Sequence, residues 1–214
     1  MSELLFNELP RPTFRWLRVN HTVSSLAGED TAVQSIAVEA NKDILSPLPV
    51  GTALLDGNYE GANKEAVHVL VEKAEGYAIN VPPKAKEVVG IRIDANARVA
   101  NRFQFIVGEG AELEVQFYVT GSGDALTNVN YLNEYDVKEA GRVVVKKVNL
   151  LPEHVQHIEH RYTKLEEKAD VEYINIEIGG SENILNYYHD LVGQESRMVH
   201  DIAYLGNKEQ KFDI

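Results

Sequence analysis

The sequence predicts an all-β protein, a parallel β-helix (solenoid) that follows a small mixed N-terminal region. Short runs rich in Val, Ile, Tyr and Phe succeed one another from about residue 88, and small residues recur at a nearly constant spacing. No convincing helical pattern interrupts these runs, and Asn-Gly hairpin turns do not separate them. We therefore assign residues 1–85 to an N-terminal mixed region and cap, and residues 86–214 to the β-helix core.

The repeat is the most informative feature of the core. The small residues Ala111, Ala140, Ala169 and Ser196 recur about every 29 residues, with a slightly shorter last step. Such a period is typical of solenoids, in which successive coils stack their strands about 4.8 Å apart. A β-sandwich with evenly spaced strands is the alternative, and the repeat disfavours it. The repeat predicts these columns of stacked residues: Leu113, Arg142, Val171 and Met198; Val115, Val144, Tyr173 and His200; Val129, Ile158 and Tyr187; Tyr131, His160 and His189.

The N-terminal region is less regular. Residues 1–25 form an aromatic lead-in for which a short helix and an irregular packing arm are both open. Further on, Val67, Val69 and Val71 alternate with other residues, which favours a strand, although the surrounding segment KEAVHVLVEKAEG would also tolerate a helix. Pro82 and Pro83 end whichever element forms there.

Composition narrows the classes of function. The net charge is -12, from 21 Lys and Arg against 33 Asp and Glu, and such a surface repels phosphate backbones. We expect no nucleic-acid binding, and a basic protein partner would suit the charge better. The absence of cysteine excludes disulfides, thiol nucleophiles and Cys-ligated metals within this chain.

The sequence also predicts the compartment. It contains no run of about 18 apolar residues, so no membrane span is expected. The N-terminus, MSELLFNELPRPTFRW, lacks the apolar segment of a secretory signal. A cytoplasmic location is the expectation.

Several segments resemble a known family over roughly residues 75–214. Gly179-Gly180 matches a turn after a strand, and Tyr204-Leu205-Gly206 followed by Gln210 and Asp213 looks like a YL-x-x-x-x-Q-x-x-D segment. Together with VPPKAKEVVGIRID and RFQFIVGEGAELEVQFYVTG, these motifs are similar to the first half of the SufB/SufD core domain. The acidic, cysteine-free content favours the SufD branch.

This resemblance implies a right-handed parallel β-helix that serves as a non-catalytic scaffold subunit of the Suf-type iron–sulfur cluster assembly complex. The implied partners are a SufB-like subunit and a SufC-like ATPase, with a transient iron–sulfur cluster in the complex and no cofactor on this chain alone. Consistent with a role that is not enzymatic, no G-x-x-x-x-G-K-[ST] loop occurs. The closest segment, GSGDALTN at Gly121–Asn128, lacks the Lys and hydroxyl that would bind phosphate and magnesium.

Relative to the family, the chain is C-terminally truncated. The later coils and terminal helices of family members are missing, so the functional residues that they carry are not transferred to this sequence. A β-helix that stops after its last coil presents unpaired backbone groups, which recruit further strands. We therefore expect a homodimer through the C-terminal edge, or a mobile segment from about Asn207.

Histidines are the weak candidates for a metal site. In HVQHIEH, a helix would place His154 and His157 on one face, whereas a strand directs His154 and His160 one way and His157 the other. The strand context disfavours a metal site there. His160 and His189 lie one predicted repeat apart, and His200 belongs to the adjacent strand set. These three could line a path for iron or persulfide, but a solvated ladder is the preferred interpretation.

Two further groups complete the candidates. Asp190, Glu195 and Asp201 would suit a β-helical carbohydrate-active enzyme, although surface charge is the preferred interpretation. A self-assembling structural β-solenoid is a third alternative. Trp16, with Arg15 and Arg18, could bind a partner, but we favour a cap over the first coil.

Overall fold

A computed structural model of the chain describes residues 3–7, 22–25, 36–55, 64–122, 127–207 and 209–214. The N-terminal elements are β1 Glu3–Phe6, β2 Thr22–Ser25, β3 Ile36–Glu39, β4 Leu45–Leu48 and α1 Lys64–Lys73. The strands that follow are β5 Gly76–Val81, β6 Lys86–Asp94, β7 Val99–Val107, β8 Glu112–Thr120, β9 Thr127–Val137, β10 Arg142–Asn149, β11 Val155–Leu165, β12 Asp170–Glu177, β13 Glu182–Leu191, β14 Arg197–Tyr204 and β15 Lys211–Asp213.

The strands from β5 onward form a parallel β-helix of about five turns, which confirms the predicted fold class. Each coil contributes one strand to each of two sheets. The seven-stranded sheet has the order β15-β13-β11-β9-β7-β5-β4, and the six-stranded sheet has the order β14-β12-β10-β8-β6-β3. Because β5 already pairs in parallel with β7, the predicted boundary at residues 85/86 falls inside the first coil.

On the six-stranded sheet, the register differs from the predicted repeat by one position at one coil. Arg142 pairs with Glu112 and Asp170, so the column of Leu113 and Val171 contains Val143 instead. In the same way Val145, not Val144, lies between Val115 and Tyr173. A shift by one position would turn Arg142 into the core, and burial of an unpaired charge is costly.

The length of a coil is therefore not constant. One level of the six-stranded sheet runs through the first residues of five strands, and the sequence interval between them changes from coil to coil. These residues are Lys86, Glu112, Arg142, Asp170 and Arg197.

Each coil turns at a corner residue whose backbone is in the left-handed (positive φ) conformation, and the corners of successive coils stack. Ala140 occupies this corner with φ 54°, so it is Gly141 that lies level with Ala111 and Ala169. Corners of successive coils are joined by backbone hydrogen bonds such as Gly110 N to Glu139 O, at 2.9 Å. The residues with positive φ at this corner are Lys84, Gly110, Ala140, Lys168 and Glu195.

The interior changes character along the axis. Between the first coils it is filled by aromatic rings, for example Phe105 stacked on Tyr135 at a centroid distance of 4.5 Å. Val115, Val145 and Val171 continue this apolar interior on the six-stranded sheet. Polar and charged side chains replace the rings in the later coils, and they form the candidate site described below.

A layer from the N-terminal region covers the outer face of the seven-stranded sheet. The preference for a strand is wrong here: α1 forms instead, with Ala66, Val67, Leu70 and Val71 buried on one helical face. Phe6 of β1 packs beside them against β11 and β13. Trp16, Arg15 and Arg18, which were partner or cap candidates, lie outside the described residues. In the described part of the chain, no helix is long and apolar enough to cross a membrane.

Candidate functional site

A group of buried charged residues lies between the two sheets in the later coils. Lys147 of β10 forms ion pairs with Glu159 of β11 and Glu177 of β12, and all three side chains are fully buried. Each points inward because it shares the strand face of apolar neighbours, as Lys147 does with Val143 and Val145. The stacking of coils therefore brings charges from three different strands into one place, which we name the interior cluster.

Arg161 extends the interior cluster toward the last coil. Its Nε and Nη2 donate to Oε1 of Glu159 at 3.1 and 2.6 Å. Its guanidinium also lies 4.2 Å from the ring centroids of both Tyr173 and Tyr187, a cation–π sandwich. Two cations, Lys147 and Arg161, thus face two carboxylates, and the charges balance.

His157 joins the interior cluster through neutral partners. Its Nε2 lies 3.2 Å from the hydroxyl of Tyr131, and its Nδ1 lies 3.1 Å from Nδ2 of Asn149 and 3.2 Å from Oδ1 of Asn183. Burial, aided by the positive charge of Lys147, lowers the pKa of His157 to about 4. The ring is therefore neutral at pH 7 and acts as a hydrogen-bonding link.

The protonation states of Glu159 and Lys147 in the interior cluster are fixed at neutral pH. Burial alone would raise the pKa of Glu159, but Arg161 and Lys147 lower it well below its ordinary value. Burial opposes the charge of Lys147, yet Glu159 and Glu177 raise its pKa above the ordinary value. The arrangement holds paired charges in place, and neither Glu159 nor Lys147 exchanges a proton near pH 7.

The structure brings together only two of the three histidine candidates. His189 and His200 both face the interior in the last coil, with ring centroids 6.3 Å apart. Burial, with Arg161, lowers the pKa of His189 to about 3 and that of His200 to about 4, so both are neutral at pH 7. His160 lies on the opposite face of β11, fully buried beneath the N-terminal layer.

The predicted column of Tyr131, His160 and His189 is therefore wrong. His160 pairs with Leu132 and Asn186, because the steps from β9 to β11 and from β11 to β13 are each shorter than the predicted repeat by an odd number of positions. The predicted column of Val129, Ile158 and Tyr187 is wrong as well, because Ile158 pairs with Asn130 and Ile184. Across the described residues, no group of three or more His, Cys, Asp or Glu is placed to hold a metal ion. His154 lies in the turn before β11, apart from these rings.

The three carboxylate candidates do not share a cleft. Asp190 of β13 is on the outer face of the seven-stranded sheet, in a groove with Tyr162 and Tyr188. Glu195 is at the left-handed corner, and Asp201 is exposed on the outer face of the six-stranded sheet. They therefore do not form the carboxylate pair that a glycoside hydrolase requires.

The Gly179-Gly180 turn, which follows β12, contacts Gln210 of the second sequence motif, which follows β14. Gln210 donates from Nε2 to the carbonyl oxygens of Ile178 and Gly180, at 3.2 and 2.8 Å. Gly179 has no room for a side chain, because a Cβ there would overlap the backbone of Leu151 in the preceding coil. The Gly-Gly turn and the later Gln are thus parts of one contact between neighbouring coils.

Sequence reasoning did not find the interior cluster, although a signal for it exists. Lys147 occupies the same face of β10 as Val143 and Val145, and Glu159 and Arg161 occupy the face of β11 that begins with Val155 and ends with Leu165. A charge at such a position must be paired with another inward charge. The repeat places β10, β11 and β12 side by side, so the partners could have been sought there.

Comparison with known proteins gives one match. The family model described as SUF system FeS cluster assembly, SufBD core domain, matches residues 91–214, more than half of the chain. Those residues run from β6 to the last described strand and contain the whole interior cluster. Searches of curated proteins and of solved structures gave no match.

Proposed function

Because the chain belongs to the SufBD core domain family of the SUF iron–sulfur cluster assembly system, we propose that it is a non-catalytic scaffold subunit of the SUF complex. The family match carries this proposal. It assigns the chain to iron–sulfur cluster assembly. The acidic, cysteine-free composition favours the SufD branch and so supports a role in presenting a surface to partners.

The chemistry of the interior cluster supports a role without turnover. Lys147, Arg161, Glu159 and Glu177 are fully buried, and their charges balance within the cluster. A catalytic acid or base needs a pKa near the working pH and access to substrate. The pKa of Glu159 is held far from that condition by Arg161 and Lys147, and the pKa of Lys147 by Glu159 and Glu177.

The partners that we propose are a SufB-like subunit and a SufC-like ATPase. The ATPase would hydrolyse ATP, and the iron–sulfur cluster would be the cargo of the complex. A stack of coils suits a scaffold because each coil is held by its neighbours, which gives long faces of fixed shape.

Co-purification from the native source tests this proposal. The tagged chain, expressed at its own level, is expected to recover a SufB-like and a SufC-like protein together. The purified chain alone is expected to hydrolyse no ATP, and activity should appear when the ATPase is added. Recovery of neither partner from cells that contain both would refute the scaffold role.

A further inference from the structure

An exposed apolar band runs across the outer face of the six-stranded sheet, next to the loops that follow β8, β10, β12 and β14. Two rows of the register build it. In one row Tyr118, Val148 and Ile176 lie side by side, and the next row contains Leu150, Ile178 and Leu205. We name these six residues the apolar stripe. The exposed fractions are 43% for Tyr118, 41% for Leu150, 39% for Ile176, 40% for Ile178 and 66% for Leu205.

The half of this sheet face near the first residues of the strands carries paired charges instead of apolar side chains. Its charged side chains pair across neighbouring strands, with Lys86 2.8 Å from Glu112 and Lys146 2.8 Å from Glu114. Such pairing keeps a sheet face soluble without making it attractive to a partner. An apolar band of several adjacent side chains on the same face is instead typical of a binding surface.

A groove deepens the apolar stripe on its loop side. It has a volume of about 540 Å³, and its walls include Leu151, Pro152, Leu205 and Gln210. Glu153 also lines this groove, and Glu209 lies in the adjoining one. On the sheet side, Asp201 is level with Ile174, next to the row of Ile176. The groove side of the stripe is therefore acidic, whereas on the sheet side Arg92 lies level with Tyr118 and Lys146 lies level with Ile174.

We propose that the apolar stripe and its groove bind an amphipathic α-helix of a partner protein, with basic residues flanking the apolar face of that helix. Neighbouring strands are about 4.8 Å apart, and one turn of an α-helix rises about 5.4 Å. A helix that lies along the axis of the coils therefore places about one side chain per turn on each strand. The carboxylates at the groove and the net charge of -12 favour Lys and Arg on the groove side of that helix.

This inference rests on the proposed scaffold function, which requires a surface for partners. A model peptide tests it directly: a fluorescein-labelled helix with Leu at i, i+3, i+4 and i+7 and Lys at the remaining positions. Anisotropy titrations of the full chain should show binding. The double substitution Ile176→Ser with Ile178→Ser should weaken it at least about tenfold, because apolar anchors at the centre of an interface dominate affinity.

Two matched controls make the test specific. Val88→Ser removes an apolar side chain that is 59% exposed on the same sheet face but outside the stripe, and it should leave the affinity unchanged. A peptide of the same composition with Leu scattered around the helix should bind more weakly. The substitutions are all at exposed positions, and circular dichroism melts should show that each variant remains folded.

Three results would overturn the inference. The scattered peptide could bind as tightly, Val88→Ser could weaken binding as much, or sedimentation could show a dimer that Ile176→Ser and Ile178→Ser dissociate. The last result would assign the stripe to a second copy of the chain. Failure to co-purify SUF partners while the peptide results hold would refute the scaffold role alone. The reverse pattern would refute the stripe alone.

Discussion

Lys147 on β10 and Glu159 on β11 form an ion pair whose two side chains are both fully buried between the sheets. Removing Lys147 leaves Arg161 as the one cation of the interior cluster facing Glu159 and Glu177. We expect Lys147→Met to lower the free energy of unfolding by about 3–5 kcal/mol, because a buried carboxylate without its partner is strongly destabilising. Urea denaturation followed by circular dichroism measures this loss.

The neighbouring residue provides the control. Lys146 pairs with Glu114 at 2.8 Å, but its side chain is 48% exposed on the outer face. Lys146→Met should change the free energy of unfolding by no more than about 0.5 kcal/mol, because water already screens this pair. Equal losses for the two substitutions would show that the inward and outward faces of β10 have been assigned incorrectly.

The alternation of inward and outward side chains along a strand also explains which features of the fold the sequence could predict. Alternating apolar residues and a nearly constant repeat were sufficient to predict stacked parallel coils. The register of individual strand pairs was not predictable, because the number of residues per coil varies. The interval from Glu112 to its partner Arg142 is longer than the interval from His160 to its partner Asn186. The shorter step from β11 to β13 puts His160 outside the coil and His189 inside it, since a shift by an odd number of positions exchanges the two faces.

Stability should fall in mild acid because buried histidines resist protonation. Burial lowers the pKa of His160 to about 4, whereas an unfolded chain has a histidine pKa of about 6.5. Below about pH 6.5 the unfolded state binds a proton that the folded state does not, so stability is lost as pH falls toward 4. Each such histidine costs roughly 2 kcal/mol at pH 5 relative to pH 7. Urea titrations at the two pH values measure the difference.

His160→Leu isolates this effect. The ring of His160 has no hydrogen-bond partner for either nitrogen among the described residues, and it lies level with Leu132 in the strand before. We expect the loss between pH 7 and pH 5 to be smaller in the Leu variant by roughly 2 kcal/mol. His68→Gln, at an exposed position of α1, should leave that loss nearly as in the parent chain. An unchanged pH dependence in His160→Leu would contradict the assignment.

The N-terminal layer should loosen when its buried anchor is removed. Arg102 of β7 donates to the carbonyl oxygens of Val71 and Thr52, and its Nη2 lies 3.6 Å from Oε2 of Glu134. Arg102→Met breaks these contacts and leaves a buried carboxylate, which costs about 3 kcal/mol. Limited chymotrypsin digestion with mass spectrometry should show faster cleavage before Gly76, while the coils remain intact.

An exposed arginine on the other sheet separates this effect from the general loss of an arginine. The side chain of Arg92 is 68% exposed. Arg92→Met should leave the digestion pattern as in the parent chain, because Arg92 lies on the six-stranded sheet and the N-terminal layer covers the seven-stranded one. Cleavage of Arg102→Met within the later coils at the same rate would mean that the layer and the β-helix unfold together.

Two glycines should respond very differently to the same substitution. Gly179→Ala places a Cβ onto the backbone nitrogen and oxygen of Leu151, which neither coil can move without breaking its ladder. At Gly110 the nearest atom to a Cβ is Lys84 Cγ at 3.7 Å, so only the positive φ of 62° opposes Ala. We expect Gly110→Ala to cost about 1 kcal/mol, since Ala140 already adopts the left-handed conformation at the same corner.

The cost of Gly179→Ala should be several times larger, because the overlap involves backbone atoms of two coils rather than the end of a flexible side chain. The substitution should also release the hydrogen bonds that Gln210 donates to this turn. Thermal melts measure the two losses, and hydrogen exchange at residues 178–180 reports the local opening. Comparable melting temperatures for the two variants would mean that the coils can separate at this turn. The close contact between Gly179 and Leu151 would then not be a fixed feature of the fold.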